Sequence, residues 1–319
     1  MNWPNASSAT GTIVTGKPGS TSEPARYVGR FAPSPTGPLH FGSLVAAVAS
    51  YLQAKANSGK WLLRIEDIDP PREQPGATQS ILEALERYGF EWDGDVIYQS
   101  RSHALHVAAL EDLLHRRLAY PCGCSRRGLS DQPRGPLGVI YPGTCRNGCD
   151  AKETAIRLLT DDDPITYEDA LQGTQTQRLE SESGDFVIRR RDSLIAYQLA
   201  VVVDDEVQQI TEVVRGIDIM DSTARQIRLQ RLLGYRTPRY MHIPVITHAN
   251  GDKLSKLTGA PAIPLDDAGA TMAAALRALQ QDPPGNLARD PLQEIWAWAV
   301  ENWRPEAMYG LAVITSESS

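Results

Sequence analysis

A short strand that runs through a proline- and glycine-rich loop straight into a helix constrains this chain more than any other feature. It is the stretch Arg30 to Ser43, RFAPSPTGPLHFGS. The strand is expected over Tyr27 to Phe31, and apolar residues at helical spacing predict a helix over Ser43 to Ala56, closed by Gly59. Trp61 to Ile65 reads as a second strand. Helices are predicted from about Thr78 to Tyr88, with Gly89 behind it, and from about Ser102 to Arg117. Strands alternating with helices imply an α/β fold on a parallel sheet. In the joining loop Pro33, Pro35 and Pro38 stiffen the backbone, while Gly37 and Gly42 let it come close to a ligand.

A segment carrying all four cysteines interrupts the alternation, so an inserted lobe is expected at about 120 to 195. Ala196 to Glu206 fits either a helix or a strand: the run Val201, Val202, Val203 favours a strand, while Tyr197, Ala200 and Val201 share a helical face. Ile210 to Val214 reads as a strand, Ser222 as the cap of a helix ending near Gly234, and Met241 to Thr247 as a further strand. Thr271 to Trp303 reads as helices, and no internal repeat is present. The expected organisation is a disordered leader (1–25), the first half of a catalytic domain (26–119), the inserted lobe (120–195), the second half (196–260) and a C-terminal helical region (261–319).

A chain of 319 residues can bury a full core, and 41% hydrophobic with 22% charged residues excludes a coiled coil, a collagen or wholesale disorder. A formal net charge of −7 argues against a protein that coats nucleic acid indiscriminately. Arginines do gather locally, at Arg189, Arg190 and Arg191 and at Arg225, Arg228, Arg231, Arg236 and Arg239, where an RNA backbone could lie; the plain alternative is a solvated face. No apolar stretch reaches the ~20 residues of a membrane span, and the N-terminus lacks a basic segment followed by an apolar run, so a cytoplasmic chain with no membrane partner is expected. The cysteines all fall between Cys122 and Cys149, and in a reducing cytosol such clustering favours metal over disulfides.

Two segments carry phosphate chemistry. A helix N-terminus offers unpaired N–H groups and a positive dipole end, so the start of the first helix suits a polyphosphate, with His40 placed to stabilise charge building on an α-phosphate under attack. Much later Lys253, Leu254, Ser255 and Lys256 follow a strand and the loop His248 to Asp252, which puts two ammonium groups on a tether. Each segment alone reads as ordinary surface.

Together, in this order, the two segments resemble the signature motifs of class I aminoacyl-tRNA synthetases. RFAPSPTGPLHFGS, RIEDIDPPRE, AYQLAVVVDD and TEVVRG resemble the glutamyl-tRNA synthetases in particular, over roughly residues 26 to 260. The resemblance implies a Rossmann-like parallel sheet with an inserted zinc-bearing lobe and a small C-terminal helical region. It implies a glutamate site at Arg30, Phe31, Ala32, Pro33, Ser34, Glu66, Tyr197 and Arg215. It also implies Mg2+-bound ATP at His40, Gly42, Ser43 and Lys256, with His40, Lys253 and Lys256 catalytic. The residue chemistry agrees: Glu66 suits an ammonium, and Arg30 and Arg215 offer planar forks to carboxylates. Glutamine in place of glutamate would lose a charge-assisted bond worth roughly 1.5–3 kcal/mol. The plain alternative for Glu66 and Asp67 is helix capping or a salt bridge with Arg64 or Arg72.

Spacing alone selects Cys122, Cys124, Cys145 and Cys149 as four soft ligands for a closed tetrahedral zinc site. The segment YPGTC resembles that of the small tRNA-modifying paralogues, the glutamyl-queuosine tRNA(Asp) synthetases, and this implies Cys122, Cys124, Tyr141 and Cys145 around one structural Zn2+. Cys149 then stands outside or replaces Tyr141; buried unliganded cysteines are the plain alternative. About sixty residues follow the lysine segment, too few for a second large domain. The same resemblance therefore implies ATP, L-glutamate and queuosine-bearing tRNA(Asp) as partners; a monomer is expected, with the inserted lobe as the docking surface for RNA. Rival readings are a truncated glutamyl-tRNA synthetase charging a tRNA 3′ end, a non-enzymatic zinc-bearing tRNA-binding module, and a small-molecule nucleotidyltransferase.

Overall fold

The structure, a computed structural model, describes residues 27–136, 138–247 and 261–315. The expected leader and the Lys253–Lys256 segment lie outside the described residues. The first unit is β1 (Val28–Phe31), α1 (Phe41–Ala56) and β2 (Lys60–Ile65), with β1 and β2 parallel and Val28 opposite Lys60. Next come α2 (Ala77–Arg87), β3 (Ile97–Tyr98), parallel to β2, and α3 (His103–His115). These elements match the expected ones to within a few residues.

The stretch expected as an inserted lobe contains β4 (Ala119–Cys122), the small ribbon β5 (Arg134–Gly135) and β6 (Gly138–Val139), β7 (Ala155–Leu158), β8 (Ile165–Asp169), β9 (Gly173–Gln177), α4 (Leu179–Glu182) and β10 (Phe186–Arg189). Strands β10, β7 and β4 form an antiparallel sheet of their own. The hairpin β8–β9 goes elsewhere: β8 lies parallel to a later strand of the catalytic sheet, with Asp169 opposite Tyr240.

The chain returns through α5 (Tyr197–Val207), β11 (Glu212–Gly216), α6 (Thr223–Leu233) and β12 (Arg239–Ile243). The ambiguous segment at 196–206 is a helix. It lies between the sheet and its neighbours α3 and α6, so Leu199 through Asp205 are all buried and the valine run has apolar contacts on every side. The single strand expected at Met241 to Thr247 is two, because Pro244 has no N–H for a ladder; β13 (Val245–Thr247) pairs instead with the terminal β14 (Val313–Thr315). Ser222 precedes α6 but makes no capping bond to it; its hydroxyl accepts from Gln198 at 2.8 Å. The helical end holds α7 (Ala268–Ala278) and α8 (Leu292–Glu301).

The two parallel sheets, β3-β2-β1 and β11-β12-β8 with β9 at the edge, meet at one residue. Thr211 donates its N–H to the Val28 carbonyl at 2.9 Å and accepts from the Val28 N–H at 2.9 Å. Side chains alternate across the strands, so each face has its own core. Phe31, Trp61, Leu63, Ile65, Val214, Met241 and Ile243 pack with α1, α2, α7 and α8. Val28, Leu62, Val213 and Tyr240 pack with α3, α5 and α6. The connection leaving β1 leads to β2 on one side, while β11 stands on the other, and open α/β sheets bind ligands in the crevice at such a point.

Candidate active site

The alternation that gives the first core its apolar residues sends Arg30, Arg64, Arg215 and His242 to the opposite face, near the C-terminal ends of β1, β2, β11 and β12. Burying guanidinium groups demands counter-charges and acceptors. Asp205 of α5 supplies one, accepting from Arg30 at 3.2 and 3.4 Å and lying 2.9 Å from Arg64. Arg64 also donates to Gln208 at 2.5 Å and to Glu66 at 3.5 Å. The salt bridge weighed as the plain alternative for Glu66 is therefore present. Burial nonetheless pushes the Glu66 carboxyl up against the pull of Arg64 and Arg30. Asp67, by contrast, is engaged structurally, accepting from the N–H and hydroxyl of Ser100 at 2.8 and 2.7 Å.

Tyr197, at the start of α5, has its hydroxyl pushed up by burial; Arg215 and Arg30 pull it down and Glu66 and Asp205 push it up, so these groups share one field. Arg215 differs from Arg30 and Arg64 in having no acidic partner among the described residues. Its Nε donates to His242 Nε2 at 3.0 Å, Nη1 to Gln226 Oε1 at 2.8 Å and Nη2 to Thr223 Oγ1 at 2.8 Å. His242 in turn meets Asp169 through Nδ1 at 2.6 Å, with both side chains fully buried. A buried guanidinium held only by neutral acceptors suits an incoming carboxylate.

The main chain of the β1–α1 loop borders this pocket: the Glu66 N–H donates to the Pro33 carbonyl at 3.0 Å and the Gln74 N–H to Pro35 at 2.9 Å. Ala32, Pro33 and Ser34 lie in this loop. Phe31 does not turn its side chain toward the pocket, because strand alternation stacks it on Trp61 in the opposite core, at a centroid distance of 6.2 Å. His40 is the N-cap of α1, its Nδ1 accepting from the Ser43 N–H at 3.2 Å and its Nε2 lying 2.9 Å from Ser43 Oγ. Ser43 and Gly42 thus form the first turn of a 16-residue helix that starts at the crevice. The lysines expected to complete the phosphate site lie outside the described residues, but Ala262, six positions after Lys256, bridges to His40, and Ile263 N–H donates to the Leu39 carbonyl at 3.0 Å.

In the antiparallel lobe Cys122, Cys124 and Cys145 bring their sulfurs within 4.8 Å of one another. Tyr141 Oη lies 3.3 Å from Cys122 Sγ and 3.9 Å from Cys124 Sγ, and Cys124 and Cys145 are 3.7 Å apart. Gly184, with φ of 65°, backs this group so closely that a Cβ would strike the Tyr141 carbonyl. Burial pushes the Cys145 thiol up, yet its bonds to Tyr141, the Gly123 N–H and its cysteine neighbours outweigh this and hold it at about 7. Cys149 is exposed and turned toward the Pro121 carbonyl, outside the cluster. A cavity of about 740 Å3 beside the cluster is lined by Arg126, Arg157, Arg190 and Arg191. Several arginines expected to face RNA are ion-paired instead: Arg190 with Asp69 and Asp192, Arg228 with Asp161, Arg239 with Glu212.

Sequence reasoning missed Asp205, Asp169, His242, Thr223 and Gln226. Only Asp205 left a signal, an acidic pair at the end of an otherwise apolar helix.

A parallel sheet with a helix N-terminus at its switch point and a charged pocket at its strand ends is the architecture of an α/β enzyme that binds a nucleotide. Residues 27–266 match the family described as tRNA synthetases class I (E and Q), catalytic domain, and the chain belongs to it, an ATP-dependent ligase. Its relatives are more particular: a Pseudomonas aeruginosa protein named Glutamyl-Q tRNA(Asp) synthetase is 55% identical over 278 residues, covering 87% of this chain and 93% of its own. One of the same name from Chromobacterium violaceum is 52% identical over 282 residues, covering 88% and 94%. Among solved structures, the glutamate-tRNA synthetase of Elizabethkingia anophelis superposes with a TM-score of 0.75 at 23% identity, over 91% of this chain and 68% of that one. A glutamate tRNA ligase of Elizabethkingia meningosepticum in complex with its amino acid gives 0.75 at 21% identity, over 92% and 67%. Both share the fold.

Proposed function

We propose that this chain activates L-glutamate with Mg2+-bound ATP and transfers it to queuosine at the wobble position of tRNA(Asp). The observation that carries the amino-acid half is the buried Arg215, held by neutral partners only among the described residues, with Glu66 and Tyr197 in the same field. Arg215 and Tyr197 take the side-chain carboxylate, Glu66 takes the ammonium, and the α-carboxylate is left directed at the crevice. One of its oxygens attacks the α-phosphorus of ATP, the bond to pyrophosphate breaks, and glutamyl-adenylate forms. His40 and the α1 N-terminus stabilise the charge that accumulates on the phosphorus, with Lys253 and Lys256 as partners from the later segment. A hydroxyl of the queuosine cyclopentenediol then attacks the acyl carbon and AMP leaves. The names of the relatives support the RNA half, and in the cavity of the lobe, which Glu153 and Asp192 also line, Arg126, Arg157 and Arg191 have no acidic partner among the described residues and offer positive charge for RNA phosphates.

The donor set of the lobe fits a structural Zn2+. Tetrahedral zinc with sulfurs at ~2.3 Å sets them roughly 3.8 Å apart, and Cys124 and Cys145 stand 3.7 Å apart without it. Cys122, Cys124, Cys145 and Tyr141 would hold it, and it would tie the β4 end to the loop before β7.

The test is incubation with labelled glutamate, ATP and total tRNA from cells with and without queuosine. Label should enter the queuosine-containing pool alone. Equal labelling of both pools, or label recovered on the 3′-terminal nucleoside after nuclease digestion, would defeat the modification reading.

A further inference from the structure

We infer that Asp169 and His242 are positioning residues, which fix the orientation of the Arg215 guanidinium by selecting one tautomer of the imidazole between them. This rests on Arg215 as the partner of the glutamate side-chain carboxylate.

A guanidinium can only donate, so His242 Nε2, 3.0 Å from Arg215 Nε, must present a lone pair. The proton of a neutral imidazole then sits on Nδ1 and is donated to Asp169 Oδ2, 2.6 Å away. The Thr223 hydroxyl, 3.3 Å from the same Nε2, accepts from Arg215 Nη2 and can donate to that lone pair. Asp169 is itself held: its Oδ1 accepts from the N–H groups of Leu171, Gln172 and His242 at 3.0, 3.0 and 3.2 Å. The hairpin turn after β8 is thus folded around this carboxylate, and the Gln172 side chain closes it by donating to the His242 carbonyl at 3.0 Å. All three residues of the relay are buried, with Arg215 5%, Asp169 3% and His242 0% exposed. The charged groups facing the imidazole are Arg215, Asp169 and Asp218. With Nε, Nη1 and Nη2 each donating one N–H to this frame, each terminal nitrogen keeps a second N–H that meets no acceptor among the described residues and can be offered to a carboxylate.

The frame makes a sharp test available. In Asp169→Asn the three backbone donors keep an oxygen at the Oδ1 position, so the amide nitrogen replaces Oδ2 and donates to Nδ1. The imidazole must then carry its proton on Nε2, facing the Arg215 N–H. Nitrogen NMR of labelled histidine reads the tautomer, and ATP–pyrophosphate exchange reads the KM for glutamate. Wild type should carry the His242 proton on Nδ1; folded Asp169→Asn should carry it on Nε2 and raise the glutamate KM by about tenfold or more, while the KM for ATP stays put. His242→Gln, which keeps an acceptor near the Nε2 position, should fall closer to wild type than His242→Leu. A wild-type proton on Nε2, an unchanged glutamate KM in folded Asp169→Asn, or equal behaviour of the Gln and Leu variants would overturn the proposal. If Asp169→Asn fails to fold, the Gln and Leu pair decides. If wild type shows no glutamate-dependent exchange, the glutamate reading fails, and the nitrogen spectrum still decides the relay.

Discussion

Asp205 is the carboxylate shared by two buried guanidinium groups, those of Arg30 and Arg64. Burial alone would push its carboxyl up; Arg30 and Arg64 outweigh burial and hold it below the ordinary 3.8. Burial is likewise outweighed at Asp169 by His242 and at Asp185 by Arg146 and Tyr120. A carboxyl with a lowered folded-state pKa contributes stability that is complete above its unfolded value and is lost as pH falls through the folded one. Unfolding by urea should therefore show stability falling steeply once pH drops below 3.8, with Asp205→Asn flattening that slope. An unaltered slope in the variant would remove Asp205 from this role. At this scale the sequence exposed the residues inside compact motifs, Arg30, His40, Glu66 and Arg215. It hid Asp205, Asp169 and His242, whose partners lie 175, 73 and 27 positions away, because such pairing is made by the fold and leaves no local spacing to read.

Elements were legible where periodicity was unopposed, as in α1 and β2, and misleading where burial on all sides erased it. In α5 three consecutive valines pack against sheet, α3 and α6 at once, so period two and period 3.6 made equal claims. The hairpin β8–β9 was invisible for another reason: β8 pairs with a strand, β12, that lies about seventy residues later. Pro244, by contrast, was a readable stop that the apolar run around it masked. The cysteine cluster gained its definition from the lobe, since β4 and the loop before β7 bring Cys122, Cys124 and Cys145 together with Tyr141, whereas spacing alone selected Cys149 as the fourth member. Elemental analysis of the purified protein should find about one zinc per chain, a closed four-ligand site holding a single ion. Cys145→Ser should lose the zinc and melt earlier, and Cys149→Ser should keep it. Loss of metal in Cys149→Ser with retention in Tyr141→Phe would replace Tyr141 by Cys149 as the fourth ligand.

In the whole molecule the two parallel sheets, joined at Thr211, divide two kinds of chemistry. One face is apolar through Phe31, Trp61, Leu63 and Ile65; the other carries the arginines, and α5 covers them with Tyr197 and Asp205. The β1 end at Arg30 leads through its loop to the helix start at His40, and Arg215 lies at the end of the neighbouring β11, so the proposed phosphate and carboxylate sites fall where open α/β sheets bind ligands. The most direct measurement is a crystal structure with an unreactive glutamyl-adenylate analogue. The side-chain carboxylate should lie on Arg215, the ammonium on Glu66, and the phosphate mimic at His40 and the first turn of α1. An analogue bound with its phosphate mimic away from His40, or with its carboxylate away from Arg215, would contradict the account.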